Sequence, residues 1–161
     1  MSDRLKQNHN IQASILDRLV DHEPGVSHEP VQYRLVSIGA IKASVKRDLE
    51  KLLNTRRQIL IPPVAYKEVN SSLFVYGLQD FTSQNPRSPS VKQKLRQDVE
   101  KTISRFEPRL KKVTVYLETA AQNERNLMFR IIGLLVIEPI SEPVTFDTYF
   151  DVNRGEYIIS E

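Results

Sequence analysis

Pro108 limits the possible folds of this chain more than any other residue. Upstream of it, Val91, Leu95, Val99, Ile103 and Phe106 fall on one stripe at helical spacing. Downstream the period changes: Val113, Val115 and Leu117 alternate with Thr114, Tyr116 and Glu118, the two-residue repeat of a strand with one buried face. A proline within a helix removes a backbone donor and clashes with the preceding turn, at a cost of about 3 kcal/mol. The helix must therefore end near Glu107, and the chain must turn a stiff corner into a strand.

The remaining segments fit around that corner. Ser88 followed by Pro89 offers a cap and a first-turn proline for this helix, and Ser90 with Gln93 offers a capping box. An earlier helix is predicted from about Ser37 to Asn54, with Ile41, Val45, Leu49, Leu52 and Leu53 on one face. "SILDRLVD", Ser14 to Asp21, predicts a short amphipathic helix capped by Ser14, with Ile15, Leu16, Leu19 and Val20 as its stripe. "HEPGVSHEP" then breaks the chain, so this helix either docks on a partner or folds back on its own domain.

"ILIPPVAY" carries two consecutive prolines and reads as an extended passage. "NSSLFVYGL" reads as a helical turn from Asn70 closed by Gly77 in the left-handed region, and "TSQNPRSPS" as a loop. "AAQNERN" is a polar turn leading into "LMFRIIGLLVIE", whose two apolar faces suit a central strand. "VTFDTYFDV" and "EYIIS" flank "NRG", a hairpin signal. The fold class is α+β, with N-terminal helices packed on a three- to four-stranded C-terminal antiparallel sheet. Residues 1–30 are expected to form an arm with a short docking helix, and 31–161 a single domain.

Composition narrows the chemistry. The chain has no cysteine, and His9, His22 and His28 lack zinc-ligand spacing, so no metal, redox centre or other cofactor is expected. No apolar run approaches the roughly 20 residues that span a bilayer, and the N-terminus has no secretory pattern, which points to the cytoplasm. The five glycines are isolated and form no phosphate-binding loop.

Charge is unevenly spread. Eight basic residues face three acidic ones from Lys92 to Lys112, whereas from Glu138 onward one basic residue stands against six acidic. Such a dipolar molecule suits oriented docking, although solvated helix faces would give the same pattern. Nucleic-acid binding is disfavoured, because the basic stretches lack interleaved aromatics and the acidic tail repels phosphate.

Paired carboxylates are the one catalytic constellation that the composition permits. A glycosidase needs two, about 5–9.5 Å apart, one of them with a raised pKa. Glu107, Glu118 and Asp147 are nominees. Glu107 lies among Arg105, Arg109, Lys111 and Lys112, which disfavours a protonated general acid there.

At the helix C-terminus Glu107 opposes the macrodipole, and a nearby cation should answer it. With Pro108 pinning the backbone, Glu107 and Arg109 are expected to project as a preorganised pair suited to charge-assisted bonds with a partner. Replacing either with alanine should then leave the fold intact. The alternative is an internal pairing of Glu107 with Arg105 or Arg109 that stabilises the corner.

These motifs resemble those of the TssE family, small baseplate subunits of type VI secretion systems, which are similar to a wedge protein of contractile phage tails. The matching segments are "SILDRLVD", "SVKRDLEKLLNTRR", "SLFVYGLQDF", "RFEPRL", "FRIIGLLV" and "VTFDTYFD", in family order across nearly the whole chain. The family pattern is expected to have proline where this chain has Gln79, a departure that would soften the turn.

The resemblance implies a non-enzymatic cytoplasmic protein at a membrane-docked baseplate. Its implied partners are the baseplate subunits TssF, TssG and TssK and the sheath subunits TssB and TssC, with no nucleic acid and no membrane insertion. It also implies that assembly depends on Glu107, Pro108 and Arg109, and that sheath subunits add strands to the sheet edge. Leu16, Arg18 and Leu19 of the first helix are the expected anchor to neighbouring baseplate subunits. Phage-related families of this kind have been labelled lysozyme-like, so peptidoglycan hydrolysis during envelope penetration is the alternative.

Overall fold

The computed structural model describes residues 14–20, 24–25, 36–81, 84–85, 88–118, 128–138, 140–151 and 154–160. The three histidines, the turn "AAQNERN" and most of "HEPGVSHEP" lie outside them. The chain divides into two compact units, Met1–Val45 and Lys46–Glu161.

The first unit holds helix α1, Ile15–Leu19, and the start of α2, Ile38–Asn54. Ser14 caps α1 as its sequence predicts: its Oγ accepts from the Asp17 N–H at 3.2 Å and donates to Asp17 Oδ2 at 2.6 Å. The same carboxylate oxygen accepts from Ser44 Oγ at 2.8 Å, which ties α1 to α2. Ile15, Leu16, Leu19 and Val20 are all exposed, and so is Arg18.

In the second unit α2 continues with Leu49, Leu52 and Leu53 buried on its predicted stripe. The chain then passes through α3, Lys67–Ser71, and a 3₁₀ turn, Leu73–Val75, to α4, Pro89–Phe106. The turn expected from Asn70 is divided: α3 starts three residues earlier, at Lys67, and Ser72 caps the 3₁₀ turn, its Oγ accepting from the Phe74 N–H at 3.2 Å. Gly77 does take the left-handed conformation, with φ of 97°. A Cβ there would lie 2.3 Å from the Thr55 carbonyl oxygen, which accepts the Leu78 N–H at 2.9 Å.

Helix α4 has Ser88 at its cap and Pro89 in its first turn, yet Ser88 makes no capping hydrogen bond; its hydroxyl pairs with that of Ser90. Leu95, Val99 and Ile103 are fully buried, whereas Val91 and Phe106 at the stripe's ends are half-exposed.

The sheet has four antiparallel strands in the order β1-β2-β3-β4: Leu110–Glu118, Met128–Ile137, Ile140–Asp151 and Glu156–Ser160. Its inner face includes Val115, Phe129, Ile131, Phe146 and Ile159, all buried, with α4 packed against β1. The α+β class with a C-terminal antiparallel sheet holds, as does the β3–β4 hairpin with Gly155 at φ of 68°.

Three details depart from the sequence reading. Strand β3 begins at Ile140 and contains Pro143, opposite Leu134. Pro143 is tolerated because its missing N–H falls on the β4 side of β3, beyond the end of β4, where no ladder bond is required. A bulge lies between Lys111 and Thr114, with Lys112 at φ of 53°, so the burial alternation starts afresh after buried Leu110. Finally, β2 is central but buried on one face only; Met128 and Ile132 on the other are exposed.

Candidate functional site

The corner forms from a turn. Glu107 closes α4 by donating its N–H to the Ile103 carbonyl at 2.8 Å, and its own carbonyl accepts from the Leu110 N–H at 3.1 Å. Pro108 occupies the second position of this four-residue turn, where its fixed φ is favourable. The Arg109 carbonyl accepts from the Val136 N–H at 2.8 Å, fastening the corner to β2.

The side chains complete it. Glu107 is only 3% exposed. Its Oε1 accepts from Arg109 Nε at 2.7 Å and from the Arg109 backbone N–H at 3.2 Å, and its Oε2 accepts from Arg109 Nη2 at 2.6 Å. This two-pronged geometry is the strongest form of ion pair available to side chains. The same Nη2 also donates to Asp48 Oδ2 on α2 at 2.7 Å. Hydrogen bonding to Glu107 raises the Arg109 pKa further above its already high range, despite partial burial. Burial, then the charges of Asp48 and Glu107, push the Tyr76 phenol upward as well. Tyr76 stacks edge-on against Phe106 with ring centres 5.1 Å apart.

The geometry therefore has the features of the internal pairing: the cation that Glu107 needs is Arg109, and Asp48, distant in sequence, is a third member. Outward, the corner presents exposed Pro108 and the half-exposed Arg109. Sequence reasoning missed Asp48. Its only signal was that it is one of two carboxylates, with Glu50, on the mainly basic helix α2.

A second polar knot braces the neighbouring segments. Arg57 Nη2 donates to Asp98 Oδ1 at 2.6 Å, and Asp98 Oδ2 accepts the Gln79 N–H at 3.0 Å. Proline at position 79 would lack that donor, so the glutamine adds a bond to the turn it was expected to soften.

The sheet's margins differ. Along β4 the outward N–H groups of Tyr157 and Ile159 are taken by Asn54 Oδ1 at 2.7 Å and Glu50 Oε1 at 3.1 Å, and Asn54 Nδ2 donates back to the Tyr157 carbonyl at 2.9 Å. Along β1 only the Val115 N–H is held among the described residues, by Glu100 Oε1 at 2.9 Å.

A third surface is apolar. Between Arg57 and Tyr76 the chain displays Ile59 (94% exposed), Leu60, Ile61, Val64 (91% exposed), Tyr66 and Leu73. Pro62 is buried beneath them. Asn70 Nδ2 clamps the carbonyls of Pro63 and Tyr66 at 3.0 and 2.9 Å.

Of the carboxylates nominated from the sequence, Glu107 is bonded to Arg109, and the side chain of Glu118 lies outside the described residues. Asp147 faces Arg130 on the exposed side of the sheet. A groove of about 250 Å³ is lined by Leu53, Leu78, Leu95, Phe150 and Tyr157; Asp80 is the one carboxylate among its lining residues, and it pairs with Arg56. Among the described residues no cluster could hold a metal ion, and no helix is long and apolar enough to cross a membrane.

Comparison with known families matches residues 40–139 to the family described as baseplate wedge protein gp25. The chain belongs to that family. The match runs from α2 to the β2–β3 turn, so this wedge-family chain carries the corner, the apolar projection and β1 within the shared region. A search of curated proteins returned no significant match. The family supports a structural role in a phage-tail-like baseplate, in association with other baseplate components.

Proposed function

We propose that this chain is a non-enzymatic structural subunit of a type VI secretion baseplate, of the TssE kind, that joins TssF, TssG and TssK to the first sheath ring of TssB and TssC. The observation that carries the proposal is the asymmetry of the sheet. Side chains of α2 take the outward N–H groups of Tyr157 and Ile159 on β4, whereas along β1 only that of Val115 is taken among the described residues, which favours β1 as the margin for an added strand. The corner Glu107–Pro108–Arg109 fixes the direction in which β1 leaves α4, and so the register that an incoming strand meets. Its contribution to a partner contact comes through Pro108 and the exposed part of Arg109. Leu16 and Leu19 of α1, and the projection around Ile59–Val64, offer apolar anchorage to neighbouring baseplate subunits, and Arg18 adds a charge beside the two leucines. The working place of such a subunit is the cytoplasmic face of a membrane-docked baseplate.

Co-purification of the full chain with sheath and baseplate subunits tests this reading. Leu117→Pro removes an outward N–H that has no partner among the described residues, so it should abolish sheath capture while Leu117→Ala retains it. Equal capture by both variants would remove β1 as the receiving margin. Leu16→Asp with Leu19→Asp should weaken baseplate capture and spare sheath capture. The hydrolase alternative predicts clearing in a cell-wall turbidity assay that a carboxylate variant abolishes; none is expected, because Glu107 is bonded on both oxygens by Arg109.

A further inference from the structure

Helix α4 carries a feature that the baseplate reading does not use. Lys94, Lys101 and Arg105 lie seven and four residues apart, which places them within about 40° of arc on one helix face. They form a straight cationic stripe about 16 Å long. Lys111 and Lys112 continue the positive charge past the corner, where the bulge exposes both. None of the five has an ion-pair partner among the described residues.

A basic helix face is usually solvated and mixed in sign. Here the helix's own carboxylates are turned to other work. Asp98 holds Arg57 and the Gln79 N–H. Glu100 holds the Val115 N–H and meets Arg96 at 3.6 Å. Glu107 is buried with Arg109. The outward face is thereby left with uncompensated positive charge, and Glu100 sets it directly beside the β1 margin.

From this arrangement we infer that α4 is the docking face for an extended, acidic polypeptide segment. The rise of a helix puts Lys94 and Lys101 about 10 Å apart and Lys101 and Arg105 about 6 Å apart. An extended chain advances about 3.3 Å per residue and turns alternate side chains to one face, so carboxylates spaced by four residues and then two share a face and come within reach of the flexible side chains of the stripe. The occupant is a protein segment and not nucleic acid, since Ser90, Gln93, Gln97 and Ser104 are the exposed side chains beside exposed Lys94 and Lys101 and half-buried Arg105 and none offers a surface on which bases stack. The inference rests on the reading of the chain as an assembly subunit and adds the chemistry of one neighbour.

The test is fluorescence anisotropy on the full chain, with a labelled twelve-residue peptide that carries glutamates at that four-then-two spacing. A lysine-substituted peptide and a twelve-nucleotide oligothymidylate serve as the comparison probes. The glutamate peptide should bind more tightly than either, and binding should weaken as salt rises from 50 to 500 mM, as roughly expected for exposed charges. Charge reversal of Lys94, Lys101 and Arg105 together should cost about tenfold or more in affinity, and reversal of exposed Lys67, off the stripe, nothing. If the triple variant is misfolded by circular dichroism, the glutamine variants taken singly should each cost about twofold. Peptide binding indifferent to these changes, absent altogether, or weaker than oligothymidylate binding would overturn the inference. Co-purification with baseplate subunits despite absent peptide binding would defeat only this inference. Peptide binding without co-purification would defeat only the baseplate reading.

Discussion

The corner at Glu107–Arg109 and the projection from Ile59 to Phe74 invert the usual placement of polar and apolar groups in opposite ways. At the corner the Glu107 carboxylate is drawn inward and answered by Arg109, which also holds Asp48; both of these remain half-exposed. In the projection, branched aliphatic side chains stand in water while Pro62 and Asn70 hold the backbone beneath them. Burying charge stabilises little compared with a well-packed apolar replacement but fixes geometry tightly. Exposing apolar surface stabilises nothing in the isolated chain and leaves area for a neighbour to cover. The first region sets shape, and the second is available for contact.

Breaking the corner should have the largest effect. Arg109→Ala strands buried Glu107 and leaves Asp48 without its cation, so stability measured by urea unfolding should fall by about 2–4 kcal/mol. Arg109→Lys, which cannot reproduce the two-pronged geometry, should recover only part. The sequence alone suggested that such variants keep their fold unharmed; buried Glu107 is why that expectation changes.

The projection should behave in the contrary sense. Ile59→Ser, Ile61→Ser and Val64→Ser together should shift stability by no more than about 0.5 kcal/mol, as for other exposed sites, while lowering capture of baseplate subunits about tenfold or more. A large loss of stability in this variant would erase the contrast between the two regions.

A smaller effect is expected at Gln79. Proline there removes the N–H held by Asp98 but also restricts the unfolded chain, so the net loss should be about 1 kcal/mol or less by the same unfolding measurement.

The smallest effect is a dependence on alkaline pH. Burial raises the phenol pKa of Tyr76 and Tyr157 above their ordinary value of 10.0. The folded state therefore holds those protons more tightly, so their contribution is intact below about pH 10 and fades as pH rises past it. Arg109, raised further still, stays charged throughout that range. Unfolding curves at pH 8 and pH 10.5 should differ less in Tyr76→Phe than in the parent chain.

Much of the fold was legible because local signals agreed. The change of period across Pro108, the stripe of α2 and the glycine of the last hairpin each had one reading, and the structure follows them. The helix dipole also made it legible that Glu107 needed a cation. Its inward direction was not, since that depends on Asp48, which α2 brings across the fold from far away in sequence.

Two prolines likewise concealed the start of β3, where Pro143 is harmless only because β4 stops short of it. The bulge at Lys112 left no signal in a lysine pair. Nor does any local rule say that "ILIPPVAY" should face outward, because the same residues would fit a core equally well.

Asn54 and Glu50, lying along the final strand, give the sheet a direction. A ribbon sealed on one side can be lengthened only from the other, so whatever grows on this molecule has a fixed heading and cannot extend backward. On the proposed function, such an element would begin a polymer without being absorbed into its repeating body.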